Sequence, residues 1–133
     1  MREGAKLPTY AHEGDVGMDL FAVEETIIPA KERAIIWNGF ALEFPTGFAA
    51  IVKDKSSTAR AGLHVLGGVY DAGYRGEYNT QLVNLSDEAI TIEKGQKVSQ
   101  LIIMPVEIPE LEEVSELSET SRGEGRFGST GKN

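Results

Sequence analysis

Large apolar residues alternate with smaller or polar ones along Phe40-Ala41-Leu42-Glu43-Phe44, and Phe48, Ala50 and Val52 continue in the same phase. Ile90 and Ile92 repeat the pattern. Val98, Gln100, Ile102 and Met104 then alternate with Ser99, Leu101 and Ile103. Successive side chains of a strand point to opposite faces, so this period of two predicts half-buried β-strands. Turn-forming residues punctuate the pattern at short intervals: Pro29, Asn38-Gly39, Pro45-Thr46-Gly47, Ala72-Gly73, Ser86-Asp87 and Lys94-Gly95. Many short strands separated by turns imply a sandwich, a barrel or a jelly roll. One segment reads differently. Ser56 to Ala61 opens on N-cap residues and stops at Gly62, a natural C′ residue, which predicts a helix of one or two turns.

The chain of 133 residues is one domain by length. It has no cysteine, so neither a disulfide framework nor a thiolate metal site is available, which suits a reducing cytoplasm. Met1 to Ala11 holds no apolar run of the kind a secretory signal carries. No stretch approaches the roughly 20 apolar residues of a membrane span. The formal net charge of −8 argues against a sequence-independent nucleic-acid binder, which needs a basic face. A small anion is still accessible to local cations, and these are clustered. Lys53, Lys55 and Arg60 form one group, and Arg122, Arg126 and Lys132 form another. Between them Glu107, Glu110, Glu112, Glu113, Glu116 and Glu119 make a solvated acidic run.

Four segments could carry chemistry. Lys53-Asp54-Lys55-Ser56-Ser57 sets hydroxyls and cations beside a helix start, a phosphate cradle or an ordinary cap. Gly68 to Gly76 reads as a hairpin turning at Ala72-Gly73, with Asp71 and Tyr74 flanking its base. A carboxylate there could orient and deprotonate a water, and hairpin backbone could bond a flat heterocycle; alternatively Asp71 fixes its own turn. Asp19, between apolar residues in Gly17-Met18-Asp19-Leu20, reads alone as a salt-bridged structural acid. The segment Arg122 to Gly131 holds four glycines and one aromatic in ten residues, too little for a core element. It reads as a mobile tail able to wrap polyphosphate, with Phe127 free to stack on a base. The chain therefore divides into a β domain over 1–118 and a flexible glycine-rich lid over 119–133.

Taken in order, the segments resemble the homotrimeric dUTPase family across nearly the whole chain. Gly17-Met18-Asp19-Leu20-Phe21-Ala22 is similar to the first family motif, Lys55-Ser56-Ser57 with Ala59 to the second and Gly68 to Gly76 to the third. Gly95-Gln96-Lys97-Val98-Ser99-Gln100-Leu101 resembles the fourth and Arg122 to Gly131 the fifth. The resemblance implies an all-β, jelly-roll-like distorted barrel that forms homotrimers, with each active site built from all three chains. It implies hydrolysis of dUTP to dUMP and pyrophosphate, with Asp71 as the base that activates water. It implies substrate contacts from Lys55, Ser56, Ser57 and Gln100 to phosphate, and from Gly68, Val69, Tyr70 and Asn79 around the base. Tyr74 would pack on the deoxyribose and exclude a 2′-hydroxyl. Arg122, Gly128, Ser129 and Thr130 would clamp the distal phosphates, and Phe127 would cover uracil. Mg²⁺ would be held mainly by the triphosphate and waters, with Asp19 acting through water.

Three positions depart from the family pattern. Lys55 stands in place of Arg, a point charge for a bidentate fork. The segment Gly62 to Gly68 is short and lacks the Gly-Asn that often precedes the third motif. Arg126 replaces a glycine beside Phe127. The second motif also resembles the dCTP deaminase branch of the superfamily. Deaminases carry a catalytic glutamate three residues before an asparagine, and here Gln81 precedes Asn84. Gln cannot take up and deliver a proton, which favours dUTPase. A regulatory binder that senses dUTP is a further alternative, against which Asp71 stands intact.

Overall fold

The structure is a computed structural model and describes residues 2–125. Nine strands and one short helix run in the order β1 (Met18–Phe21), β2 (Thr26–Ile28), β3 (Arg33–Trp37), β4 (Phe48–Lys53), α1 (Ser56–Arg60), β5 (Leu63–Val65), β6 (Val69–Asp71), β7 (Asn79–Asn84), β8 (Ile90–Ile92) and β9 (Lys97–Pro105). They form a four-stranded sheet β1-β9-β4-β6, a three-stranded sheet β3-β7-β5 and the pair β2-β8, with every pairing antiparallel. The all-β, jelly-roll-like class expected from the sequence is the observed one.

Inward-facing residues of all three sheets share one core. Leu20, Ile28, Ile36, Val52, Leu82, Ile92, Val98 and Leu101 are buried in it; β3 and β7 keep the period of two, whereas in β9 Val98, Ser99 and Leu101 are all buried and the expected alternation breaks. Burying such side chains contributes about 1.5–3 kcal/mol each. Most polar groups inside are paired, although the buried Tyr78 hydroxyl and Asn79 Oδ1 find no partner among the described residues. Asn38 Nδ2 donates to the Phe21 carbonyl at 3.0 Å, and Thr80 Oγ1 donates to Asn38 Oδ1 at 3.3 Å. Thr80 Oγ1 also lies 2.7 Å from Ser99 Oγ, a link that ties β7 to β9 across the core. Asn84 Nδ2 reaches the carbonyls of Ile28 and Glu88, which fixes the turn after β7.

Three local expectations differ from the structure. Phe40 to Phe44 keeps its alternation, with Phe40 buried and Ala41 and Glu43 exposed, but it forms no regular ladder. The helix stops where expected, with Gly62 at a φ of 90°, yet its N-cap is Lys55 without a side-chain cap bond. The largest difference concerns Gly68 to Gly76. β6 and β7 do not pair with each other: β6 joins β4, with Tyr70 opposite Ala50, while β7 lies between β3 and β5. The connection is a crossover between two sheets rather than a tight hairpin. Close contact with β4 enforces it. Gly68 has a φ of +92°, accepts the Val52 N–H at 2.7 Å, and would place a Cβ 2.9 Å from the Val52 carbonyl oxygen. Only glycine takes that conformation and that approach without strain.

Candidate active site

Two clefts hold most of the candidate residues. The first, of about 230 Å³, opens between the splayed strands β6 and β7 and is lined by Gly68, Val69, Tyr70, Asp71, Tyr74, Asn79 and Gln81. Asp71 ends β6 with an exposed side chain, and its carbonyl accepts the Tyr74 N–H at 3.0 Å. Tyr74 is held by its hydroxyl, which donates to the Glu77 carbonyl at 3.1 Å. Its ring lies 5.4 Å from that of Tyr70, and Tyr70 stacks on the buried Tyr78 at 4.1 Å. The Tyr70 hydroxyl donates to the Asn79 carbonyl at 2.7 Å and accepts the Asn79 N–H at 3.1 Å. Burial raises the Tyr70 hydroxyl above the usual tyrosine value, against the bond to Asn79, with Tyr74 adding to the rise. Burial likewise pushes Tyr78 up to about 12, helped by Tyr70 and Tyr74 and opposed by Arg75. Tyr70 therefore meets the cleft as a neutral phenol at physiological pH, backed by the neutral Tyr78.

The second cleft, of about 320 Å³, is lined by residues that include His12, Asp15, Gly17, Asp19, Lys55 and Gln100. Asp19 is its electrostatic centre. Lys55 Nζ lies 2.7 Å from Oδ1 and Lys97 Nζ lies 2.6 Å from Oδ2. Burial works against the Asp19 charge, but the hydrogen bonds and charges of Lys55 and Lys97 outweigh it and hold the carboxyl below the usual carboxylate range. Gln100 is fixed from beneath, its Nε2 donating to the Asp54 carbonyl at 2.7 Å. The Asp54 carboxylate accepts the Val65 N–H at 2.6 Å and meets His64 Nδ1 at 2.7 Å. A Cβ at Gly17 would overlap Gln100 Oε1, so any other residue there must displace the Gln100 amide.

No residue lining one cleft lines the other. Within one chain, then, Asp71 and Tyr74 are not brought together with Lys55 and Gln100. Ser56 and Ser57 stand exposed at the start of α1 beside Lys55 and line neither cleft. Arg122 is exposed, with its Nε donating to the Gly125 carbonyl at 3.2 Å. Phe127, Gly128, Ser129 and Thr130 lie outside the described residues. Sequence reasoning assigned no role to Lys97, Asp54, His12 or Asp15. Lys97 reaches Asp19 because the register between β1 and β9 shifts between Leu20 and Phe21, and no sequence pattern announces such a bulge.

Among the described residues no group of three or more His, Cys, Asp or Glu could cage a metal, and no helix is long and apolar enough to cross a membrane. Both Asp19 oxygens already face ammonium groups. This donor set does not suit a metal held by protein alone.

A slot with a carboxylate at its edge and a second cleft with paired lysines suit a phosphorylated ligand with a flat ring. The dUTPase family profile matches residues 3–131. A deoxyuridine 5'-triphosphate nucleotidohydrolase of Clostridium tetani is 44% identical over 135 residues, covering 99% of this chain and 93% of that protein. The dUTPase of Staphylococcus bacteriophage 80alpha, solved with dUPNHPP, superposes with a TM-score of 0.91 at 28% identity, covering 98% of this chain and 94% of that one. A mutant dUTPase from phage phi11 of S. aureus, whose structure shows the coordination of a structural Mg(II) ion, superposes with a TM-score of 0.82 at 25% identity, covering 89% and 95%. The chain belongs to the dUTPase family.

Proposed function

We infer that this protein hydrolyses dUTP to dUMP and pyrophosphate. The observation that carries the reading is the slot between β6 and β7, with Asp71 at its edge and Tyr74 beside it. A flat base between two strand edges can be read by peptide groups. The exposed Asp71 carboxylate would take a proton from a water attacking the α-phosphorus. Tyr74 would lie against the deoxyribose and exclude a 2′-hydroxyl. Lys55 and Gln100 of the second cleft, with Ser56 and Ser57 next to it, would bind phosphate oxygens. Mg²⁺, bound by the triphosphate and its waters, would supply charge neutralisation at the phosphates, with Asp19 oriented toward its water shell.

Because the two clefts share no residue, one copy would supply the base slot and another the phosphate cleft, in a homotrimer. Exposed apolar residues support such an assembly: Phe48, Ile103 and Met104 at one end of the β4–β9 pair, and Ile108, Leu111, Val114 and Leu117 beyond it. Residues 119–133 would close over the triphosphate as a lid, with Arg122, Gly128, Ser129 and Thr130 at the phosphates and Phe127 over uracil. The cysteine-free chain would work in the cytoplasm, on a small-molecule substrate rather than on nucleic acid or a membrane. Gln81 lines the slot and cannot shuttle the proton a deaminase needs, which speaks against dCTP deamination.

The test is incubation with Mg²⁺ and, separately, dUTP, dCTP, dTTP and UTP, with pyrophosphate and ammonia measured. Pyrophosphate from dUTP alone is expected. Ammonia from dCTP would establish a deaminase, and tight dUTP binding without turnover a sensor. Asp71→Asn should keep dUTP binding and lose turnover by about 10²–10⁴-fold, the usual contribution of a positioned base.

A further inference from the structure

The slot between β6 and β7 is not open at its strand edge. Peptide groups alternate in direction along a strand. Tyr78 directs its N–H to the Phe40 carbonyl and its C=O to the Asn38 N–H. Asn79 must therefore direct both of its peptide groups the opposite way, toward the side on which the Gln81 carbonyl accepts the Leu66 N–H at 2.9 Å. β5 covers that edge of β7 only from Leu82 to Asn84, and β6 is turned away to pair with β4. The Asn79 N–H and C=O consequently have no strand partner. The Tyr70 hydroxyl takes both, accepting from one at 3.1 Å and donating to the other at 2.7 Å.

We propose that Tyr70 is a latch on the base slot: its hydroxyl holds the two peptide groups of Asn79 in the free protein and must release them when a pyrimidine enters. A hydroxyl that accepts from an N–H and donates to a C=O reproduces the pairing of an imide edge, where a ring carbonyl and the adjacent ring N–H do the same two jobs. Latch and base thus compete for one pair of groups. The Asn79 Oδ1 is also buried without a hydrogen-bond partner among the described residues, so the closed slot leaves an acceptor unused on its wall. The latched ring has a place to rest, stacked on Tyr78 and tilted against Tyr74. This inference rests on the dUTPase reading for the identity of the base and on geometry alone for the latch. It makes Tyr70 a positioning residue that sets the affinity of the slot.

The experiment compares the wild type with Tyr70→Phe. Removing the hydroxyl keeps the ring stack and frees Asn79. KM for dUTP should fall about three- to tenfold, since one or two net hydrogen bonds no longer have to be broken, with the effect on KM rather than kcat. In the free protein, amide exchange at Asn79 should speed up in the variant. An unchanged or raised KM with unchanged exchange would overturn the latch. If the wild type does not turn over dUTP, the hydrolase reading fails, and the exchange measurement, which needs no nucleotide, judges the latch alone. Should the variant not fold, the Tyr70 ring resonances of the wild type decide. Movement on adding dUMP supports the latch, and unmoved resonances refute it.

Discussion

Replacing Asp19 with Asn tests the electrostatic centre of the cleft that holds Lys55 and Gln100. The change keeps shape and removes one charge. The Asp19 side chain is 6% exposed, while Lys55 and Lys97 are 29% and 46% exposed. Breaking a fully buried pair by removing one partner costs about 3–5 kcal/mol, whereas exposed pairs are worth about 0–1 kcal/mol. Here the acid is buried, but the two lysines it leaves behind can turn into water. The loss should fall between those limits, at about 2 kcal/mol for both contacts together. For a domain of this size that lowers Tm by roughly 6–8 °C. The pH dependence separates charge from packing. Folding depresses the Asp19 pKa, so its contribution is fully present above the unfolded value, about 3.9, and is lost as pH falls through the folded value. Urea denaturation of wild type and Asp19→Asn should show the full gap at pH 7, a narrowing gap below about pH 4 and convergence at lower pH. A variant as stable as the wild type at pH 7 would mean that desolvation of Asp19 cancels both ion pairs. A gap that does not change with pH would trace the loss to packing.

Two further substitutions probe the frame around the site. Gly17→Ala should displace Gln100 and break its 2.7 Å bond to the Asp54 carbonyl, raising KM for dUTP with little loss of Tm; steady-state kinetics beside a thermal melt check this. Leu82→Ala empties a core position on β7 that is 1% exposed and should destabilise by about 3 kcal/mol, measured as a shift in urea midpoint with the same m-value.

Much of this molecule was legible in the order of its residues. Alternation along Val98 to Met104 identified β9, Ile90 and Ile92 identified β8, and Gly62 marked the end of α1, because period and turn chemistry are local properties. The motifs around Asp19, Lys55, Asp71 and Gln100 carried the family, and the family carried the substrate. Tertiary structure decided what those residues touch. Asp19 meets Lys97 where β1 and β9 shift register, and β6 leaves β7 to pair with β4, where Gly68 presses against Val52. The slot this creates, and the Tyr70 hydroxyl that spans it, depend on strands from two sheets. Local sequence specifies period, caps and turns, whereas contacts between distant segments follow from how the sheets pack. For that reason Asp71 could be named from the chain, while the state of the cleft beside it could not.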